Sequence, residues 1–216
     1  MNLKRLTKLA TANILPRLSI LMLASMMLFG CGITPPANWQ PTQVNRVSEA
    51  KAWELKGKIA VKTPEQKFST NLYWLHTPQS EELRLTSMIG STLMLLKSDV
   101  NSATLELDGK SYQGDNASEL LQHLSGWQIP ISQLPQWIVG LPGNANIVQH
   151  NADGLPQLLV DSRQLPPWHI SYKSWQALQT NTLPRLLTLE RGQLSLKIQL
   201  NEWQALTEKR PQRISQ

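Results

Sequence analysis

Residues 193–200 read Gln-Leu-Ser-Leu-Lys-Ile-Gln-Leu, "QLSLKIQL". Leu194, Leu196, Ile198 and Leu200 fall on one side of an extended chain, and Ser195, Lys197 and Gln199 on the other. A strict period of two is the signature of a half-buried β-strand, one face on a core and one in water. The stretch Glu190-Arg191-Gly192-Gln193 before it supplies turn residues. Upstream, "RLLTLERG" (185–192), "WHISYKSW" (168–175) and "QLLVDS" (157–162) are three more strand candidates. The C-terminal half is therefore expected to be β.

The same pattern recurs at the other end of the body. In "WELKGKIAV", Trp53, Leu55, Ile59 and Val61 alternate with polar or small residues, and Gly57 lies on the apolar face, where it permits a bend or a close approach across the sheet. Phe68, Thr70, Leu72 and Trp74 share one face of "KFSTNLYWL"; Leu83 and Leu85 flank Arg84. Leu105 and Leu107 lead into Asp108-Gly109, a strong hairpin signal. Between the two β regions, Asn116 is a good N-cap, Glu119 stands three residues on, Leu120, Leu121 and Leu124 form an apolar stripe, and Gly126 stops the helix. A second short helix is expected over 132–139, with Pro135 in its first turn. Strands, two helices, then strands imply an α+β, mainly β domain: one antiparallel sheet that curls, with short helices on one side.

Net charge is +6, from 21 basic and 15 acidic residues. Lys4, Arg5, Lys8 and Arg17 all precede residue 31, and without them 17 basic residues face 15 acidic ones. A nearly neutral body gives no footing for nucleic acid. The basic start runs into an apolar stretch of 13 residues, 18–30. Crossing a bilayer takes ~20, so the segment reads as an export signal over 1–30. It ends Leu28-Phe29-Gly30-Cys31, and Cys31 is the only cysteine of the chain. This resembles a bacterial lipobox, with Phe29 at the one atypical position. The resemblance implies that Cys31 becomes an N-acylated, S-diacylglyceryl N-terminus, and Gly32 after it points to the outer membrane. Residues 31–48 are expected to form a lipid-anchored tether, 49–206 the domain, and 207–216 a disordered basic tail.

Chemistry-bearing motifs are few. Gly109-Lys110-Ser111 lacks the rest of a phosphate-binding loop and sits in a hairpin turn. His76, His123, His150 and His169 match no metal-ligand spacing, so neither a metal site nor a catalytic residue is expected. The eight tryptophans against two phenylalanines are more informative. On a curled sheet with many inward leucines they suit either a plain core or the lining of a cavity for an apolar ligand. The candidates for such a lining are Leu72, Trp74, Leu85, Leu105, Leu107 and Trp137.

The chain resembles the LolB family of outer-membrane lipoprotein receptors over nearly its whole length. The matching pieces are the lipobox, Trp53-x-x-x-Gly57, "NLYW" ending at Trp74, "RLTSMIGSTLML" and the closing "LKIQLNEW". The most specific is "GWQIPISQLPQWIVGLPG", Gly126 to Gly143. The resemblance implies an open antiparallel β-barrel lidded by helices, of the LolA/LolB type. It also implies an apolar cavity that takes acylated lipoproteins from the periplasmic carrier LolA, and no enzymatic activity or cofactor beyond the acylation of Cys31. The expected partners are the carrier, the lipoprotein cargo and outer-membrane phospholipid, with the chain a monomer. At "TSMIGS" (86–91) the family has Asn-Pro-Leu-Gly, a protruding loop that promotes delivery to the membrane. Met88 and Ile89 occupy its Pro and Leu positions, which implies an exposed apolar tip. Leu93 and Leu95 stand where the family commonly has charges. Two other readings stay open: a lipoprotein of this architecture that binds another lipid or glycolipid, and a structural or assembly lipoprotein with a filled core.

Overall fold

The computed structural model describes residues 38–209. The expected export signal, Cys31, the first part of the expected tether (32–37) and residues 210–216 lie outside them. Twelve strands form one antiparallel sheet: β1 (Trp39–Pro41), β2 (Ala52–Lys62), β3 (Lys67–His76), β4 (Ser80–Thr86), β5 (Thr92–Asp99), β6 (Ala103–Leu107), β7 (Lys110–Gly114), β8 (Asn146–His150), β9 (Pro156–Asp161), β10 (Trp168–Leu178), β11 (Asn181–Arg191) and β12 (Leu194–Glu208). Their order is β7-β6-β5-β4-β3-β2-β12-β11-β10-β9-β8, with β1 added beside β12. The edges β7 and β8 do not pair, so the curled sheet is an open barrel.

The strand that fixes the sheet is β12. It pairs with β11 from Leu194 to Gln199 and with β2 from Ser195 to Leu206, joining the two halves. Its inward residues Leu196, Ile198 and Leu200 are each 1 % exposed, as their alternation requires. Gly57 faces Leu200 across this seam. A Cβ there would stand 2.1 Å from the Gln199 carbonyl oxygen, so the close approach foreseen from sequence occurs here and needs a glycine.

The chain between the two edge strands carries the helices. Helix α1 spans Ala117–Ser125, and the Asn116 side chain accepts from the amides of Ser118 and Glu119 at 2.8 and 3.2 Å. Gly126, at φ 74°, closes it with its N–H donating a hydrogen bond to the Gln122 carbonyl, because a left-handed residue at this position is far easier for glycine. Helix α2 covers Leu134–Ile138, shorter than the expected 132–139. Both helices and the segment between them join one apolar cluster with the inner face of the sheet.

Three features depart from the sequence reading. Part of the expected tether is folded: Trp39, Gln40 and Pro41 pair with Glu208, Thr207 and Leu206. Trp39 covers a small outer cluster of Ala52, Tyr73, Leu75 and Leu206. The Val44 carbonyl accepts from Thr180 Oγ1 and Asn181 Nδ2 at 2.9 and 3.1 Å, and Val47–Glu49 form a 3-10 turn. At the other terminus, Thr207 and Glu208 belong to β12 and not to a disordered tail. Strand β8 has no counterpart in the sequence reading. All five of its side chains are exposed, so it has no inward face to create an alternation.

Asp161 ends β9 and holds the loop that follows. Its carboxylate, 6 % exposed, accepts from Arg163 Nε at 2.8 Å and from a terminal guanidinium nitrogen at 2.6 Å. The Arg163 hydrogen bonds hold its pKa below the usual 3.8, outweighing burial. A carboxyl depressed in the folded state contributes stability that is complete above its unfolded pKa and lost as pH falls through the folded one. Asp161→Asn is therefore expected to flatten the acid limb of stability. Melting curves between about pH 5 and about pH 2 check this, the variant losing less on acidification than the parent.

Candidate functional site

Inside the curl, fifteen side chains from strands, helices and the inter-helix segment enclose one small space. Ile59 and Val61 come from β2, Leu72 and Trp74 from β3, Leu83 and Leu85 from β4, Met94 and Leu96 from β5, and Leu196 and Ile198 from β12. Leu121 of α1, Leu134 of α2 and the three residues Trp127, Ile129 and Ile131 close it from the helical side. No side chain of this wall is charged. Trp74 turns its ring inward with the alternation of β3, and its indole N–H donates to Glu81 Oε2 at 2.7 Å; the other Glu81 oxygen lies 2.7 Å from His76 Nδ1. The polar end of the indole is thereby satisfied and the apolar body left free.

The free space is about 30 Å³, room for one water and far below the ~300–1,000 Å³ of a ligand cleft. The interior is filled almost wholly by its own side chains. Among the described residues, the helical segment 117–143 makes no backbone hydrogen bond to the sheet. Side-chain bonds across the divide run from the Tyr172 hydroxyl to the Trp137 carbonyl at 2.8 Å and from an Arg191 guanidinium nitrogen to the Gln128 carbonyl at 3.5 Å. The rest of the attachment is apolar contact. An apolar ligand replacing those contacts like for like leaves few polar groups unpaired, so the segment is suited to lift.

The sequence candidates divide in two. Leu72, Trp74 and Leu85 line the space. Leu105 and Trp137 are fully buried in the core beside it; Trp137 packs on Trp168 and donates its N–H to the Pro142 carbonyl at 3.2 Å. Leu107 is half-buried at the end of β6, opposite Met94, where it packs against the cluster without lining the space. Alternation finds inward residues but cannot tell which meet a cavity and which meet each other. The missed residues Trp127, Ile129 and Ile131 alternate with Gln128 and Pro130, a period-two signal between the helices. Each is buried, so this connector is an extended apolar strip laid over the barrel.

The β4–β5 hairpin carries the second candidate feature. Met88 is 79 % and Ile89 91 % exposed. Gly90 has φ 87°, and the turn is tied by bonds from Gly90 N to Ser87 O, from Ser87 N to Ser91 O, and from Ser91 N to Ser87 Oγ. Side chains of β3 brace its base: Thr70 Oγ1 donates to the Thr86 carbonyl, and Asn71 Nδ2 to the Ser87 carbonyl. A rigid hairpin thus presents two bulky apolar side chains that touch little else. Leu93 extends the patch at 43 % exposed. It is the unpaired residue between Thr92 and Met94, which face Thr86 and Leu85, so a β-bulge sets its direction. Leu95, by contrast, is 9 % exposed, between Arg84 and Glu106.

The sequence profile of the family "Outer membrane lipoprotein LolB" matches residues 51–203. A protein of Shewanella loihica named outer-membrane lipoprotein LolB is 47 % identical over 189 residues, which is 87 % of this chain and 88 % of its own. A protein of the same name from Shewanella baltica is 44 % identical over 207 residues, covering 95 % and 94 %. Among solved structures, a LolA superfamily protein from Nitrosomonas europaea overlaps 76 % of this chain and 90 % of its own, at 8 % identity and a TM-score of 0.46. With nearly half of the aligned residues identical to such relatives and the profile spanning β2 to most of β12, the chain belongs to the LolB family of outer-membrane lipoproteins.

Proposed function

We propose that this chain is an outer-membrane receptor for acylated lipoproteins. It takes their acyl chains from a LolA-like periplasmic carrier into the interior between sheet and helices. It then passes them to outer-membrane phospholipid at the Met88–Ile89 tip. The observation that carries the reading is the uncharged wall of fifteen side chains under a helical segment attached almost wholly by apolar contact. Cys31 supplies the anchor, as an N-acylated S-diacylglyceryl cysteine. The chain acts as a monomer, and binding alone does the work, without catalysis or a cofactor.

The energetics favour such a relay. Each methylene taken out of water contributes ~0.8 kcal/mol, so a triacylated cargo holds tens of kcal/mol that forbid free diffusion across an aqueous space. A receptor that exchanges its own apolar contacts for those of the chains keeps both states covered. The exchange needs no chemical energy of its own, and the bilayer is the final sink. The test incubates a labelled triacylated lipoprotein on its carrier with the soluble chain from Gly32 onward, which lacks the Cys31 anchor. Label is expected to move to the receptor and then to vesicles of outer-membrane lipid.

The small free space favours one other reading, a lipoprotein with a filled structural core. That alternative forecasts no transfer and no uptake of an apolar dye. Transfer of free glycolipid, with none of the lipoprotein, would instead favour a receptor for another lipid.

A further inference from the structure

A larger opening lies at one end of the barrel, the end that carries the β2–β3, β4–β5, β6–β7 and β11–β12 turns. It measures about 550 Å³ and is bounded by the turn 63–66, the end of α1 and the residues after it (125–128), Pro166, and the turn at Arg191, Gly192 and Leu194. Trp127 borders both this vestibule and the apolar interior, so it stands at the threshold between them. The Met88–Ile89 tip rises from the same end.

Two donor groups at this threshold are under-used. Trp127 is 9 % exposed, its ring stacks on Phe68 at 5.6 Å, and its indole N–H is buried without an acceptor. A buried unpaired donor is costly; Trp168, Trp175 and Trp203 hold such N–H groups too, but of the four only Trp127 borders this opening. Arg191 donates Nε to the Pro166 carbonyl at 3.0 Å, and its two terminal nitrogens reach the Gln128 and Leu165 carbonyls only at 3.5 and 3.4 Å. A guanidinium has five N–H groups, so at least two remain free. Glu65 shares the rim, leaving the mouth with one charge of each sign. That balance disfavours a phosphate and suits a neutral acceptor.

We infer that the vestibule binds the polar junction of the cargo, with the Trp127 N–H and Arg191 guanidinium donating to the two glyceryl ester carbonyls of its acylated cysteine. The inference rests on the reading of the interior as the acyl-chain site. Chains lying inward past Trp127 place their carbonyl ends at this threshold, where the apolar wall gives way to donors. The receptor thereby recognises how the chains are joined to the protein as well as their length. A bare alkane or an ether-linked lipid fills the interior equally well and leaves both donors unpaired.

The experiment compares two ligands by calorimetry on the mature chain: a tripalmitoyl-S-glycerylcysteine peptide, and its analogue with both glyceryl esters replaced by ethers. The parent is expected to prefer the ester form about tenfold, the worth of two modest hydrogen bonds. Trp127→Phe keeps the ring and removes the N–H, and Arg191→Gln removes the charge. Each is expected to cut the preference to about threefold, with melting curves confirming that the variants are folded. Equal affinity for the two ligands in the parent overturns the inference while leaving the acyl-chain site standing. An ester preference that survives both substitutions overturns the assignment of these donors. Failure of both ligands to bind overturns the acyl-chain reading with it.

Discussion

Ile89→Glu is expected to lower delivery of lipoproteins to outer-membrane vesicles by about 100-fold while leaving the melting temperature of the chain unchanged. Ile89 is 91 % exposed, and substitutions at such positions shift stability by about 0.5 kcal/mol or less. Its contribution comes when the tip meets lipid. Burying an isoleucine side chain is worth ~1.5–3 kcal/mol, and a carboxylate in its place adds a desolvation cost. The hairpin is braced at its base by Thr70 and Asn71, so the lost contact is not recovered by the turn folding another way. Vesicle transfer of a labelled cargo, beside a thermal melt, checks both halves. Full delivery by the variant would remove the tip from the mechanism. Met88→Ser is expected to act in the same direction with a smaller effect, since Met88 is 79 % exposed beside it.

Gly57→Ala is expected to destabilise the chain by at least about 3 kcal/mol. The new methyl would lie 2.1 Å from a backbone oxygen of β12 and 3.4 Å from the Leu200 Cα. The obstacle is the backbone of the paired strand, so no side chain can rotate to relieve it. Opening the seam there separates the two halves of the sheet, which join only through β2 and β12 in the strand order. Urea titrations of parent and variant measure the difference. A loss under about 1 kcal/mol would mean that the seam is more pliable than its register implies.

The legibility of this fold followed the burial of its strands. Leu194, Leu196, Ile198 and Leu200 alternate because one side of β12 meets a core, and the same holds for Trp53 to Val61 in β2. Strand β8 and the three residues of β1 are held by backbone pairing and local contacts, which leave no periodic trace. Within the described residues, the later part of the expected tether is folded for a related reason. Pro-rich composition signalled an unstructured link, but Trp39, Val44 and Val47 find apolar ground on the domain. At the candidate site, composition and alternation located the inward face and the family pattern located the tip. They could not separate Leu72, Trp74 and Leu85, which line the interior, from Leu105 and Trp137, which pack beside it. That distinction depends on where the helical segment lies, and the segment's own strip at Trp127, Ile129 and Ile131 was readable as alternation in a place where a loop was expected.

The central claim is that acyl chains of the cargo enter the space between the sheet and the helical segment. The most direct measurement loads the mature chain with a lipoprotein whose acyl chains bear diazirines, irradiates the complex, and maps the adducts by mass spectrometry. The account expects adducts on inward residues from both sides of the interior, among them Leu72, Leu85, Met94, Leu121 and Ile129. Adducts confined to Met88, Ile89 and Leu93, or to the outer face of the sheet, would contradict it.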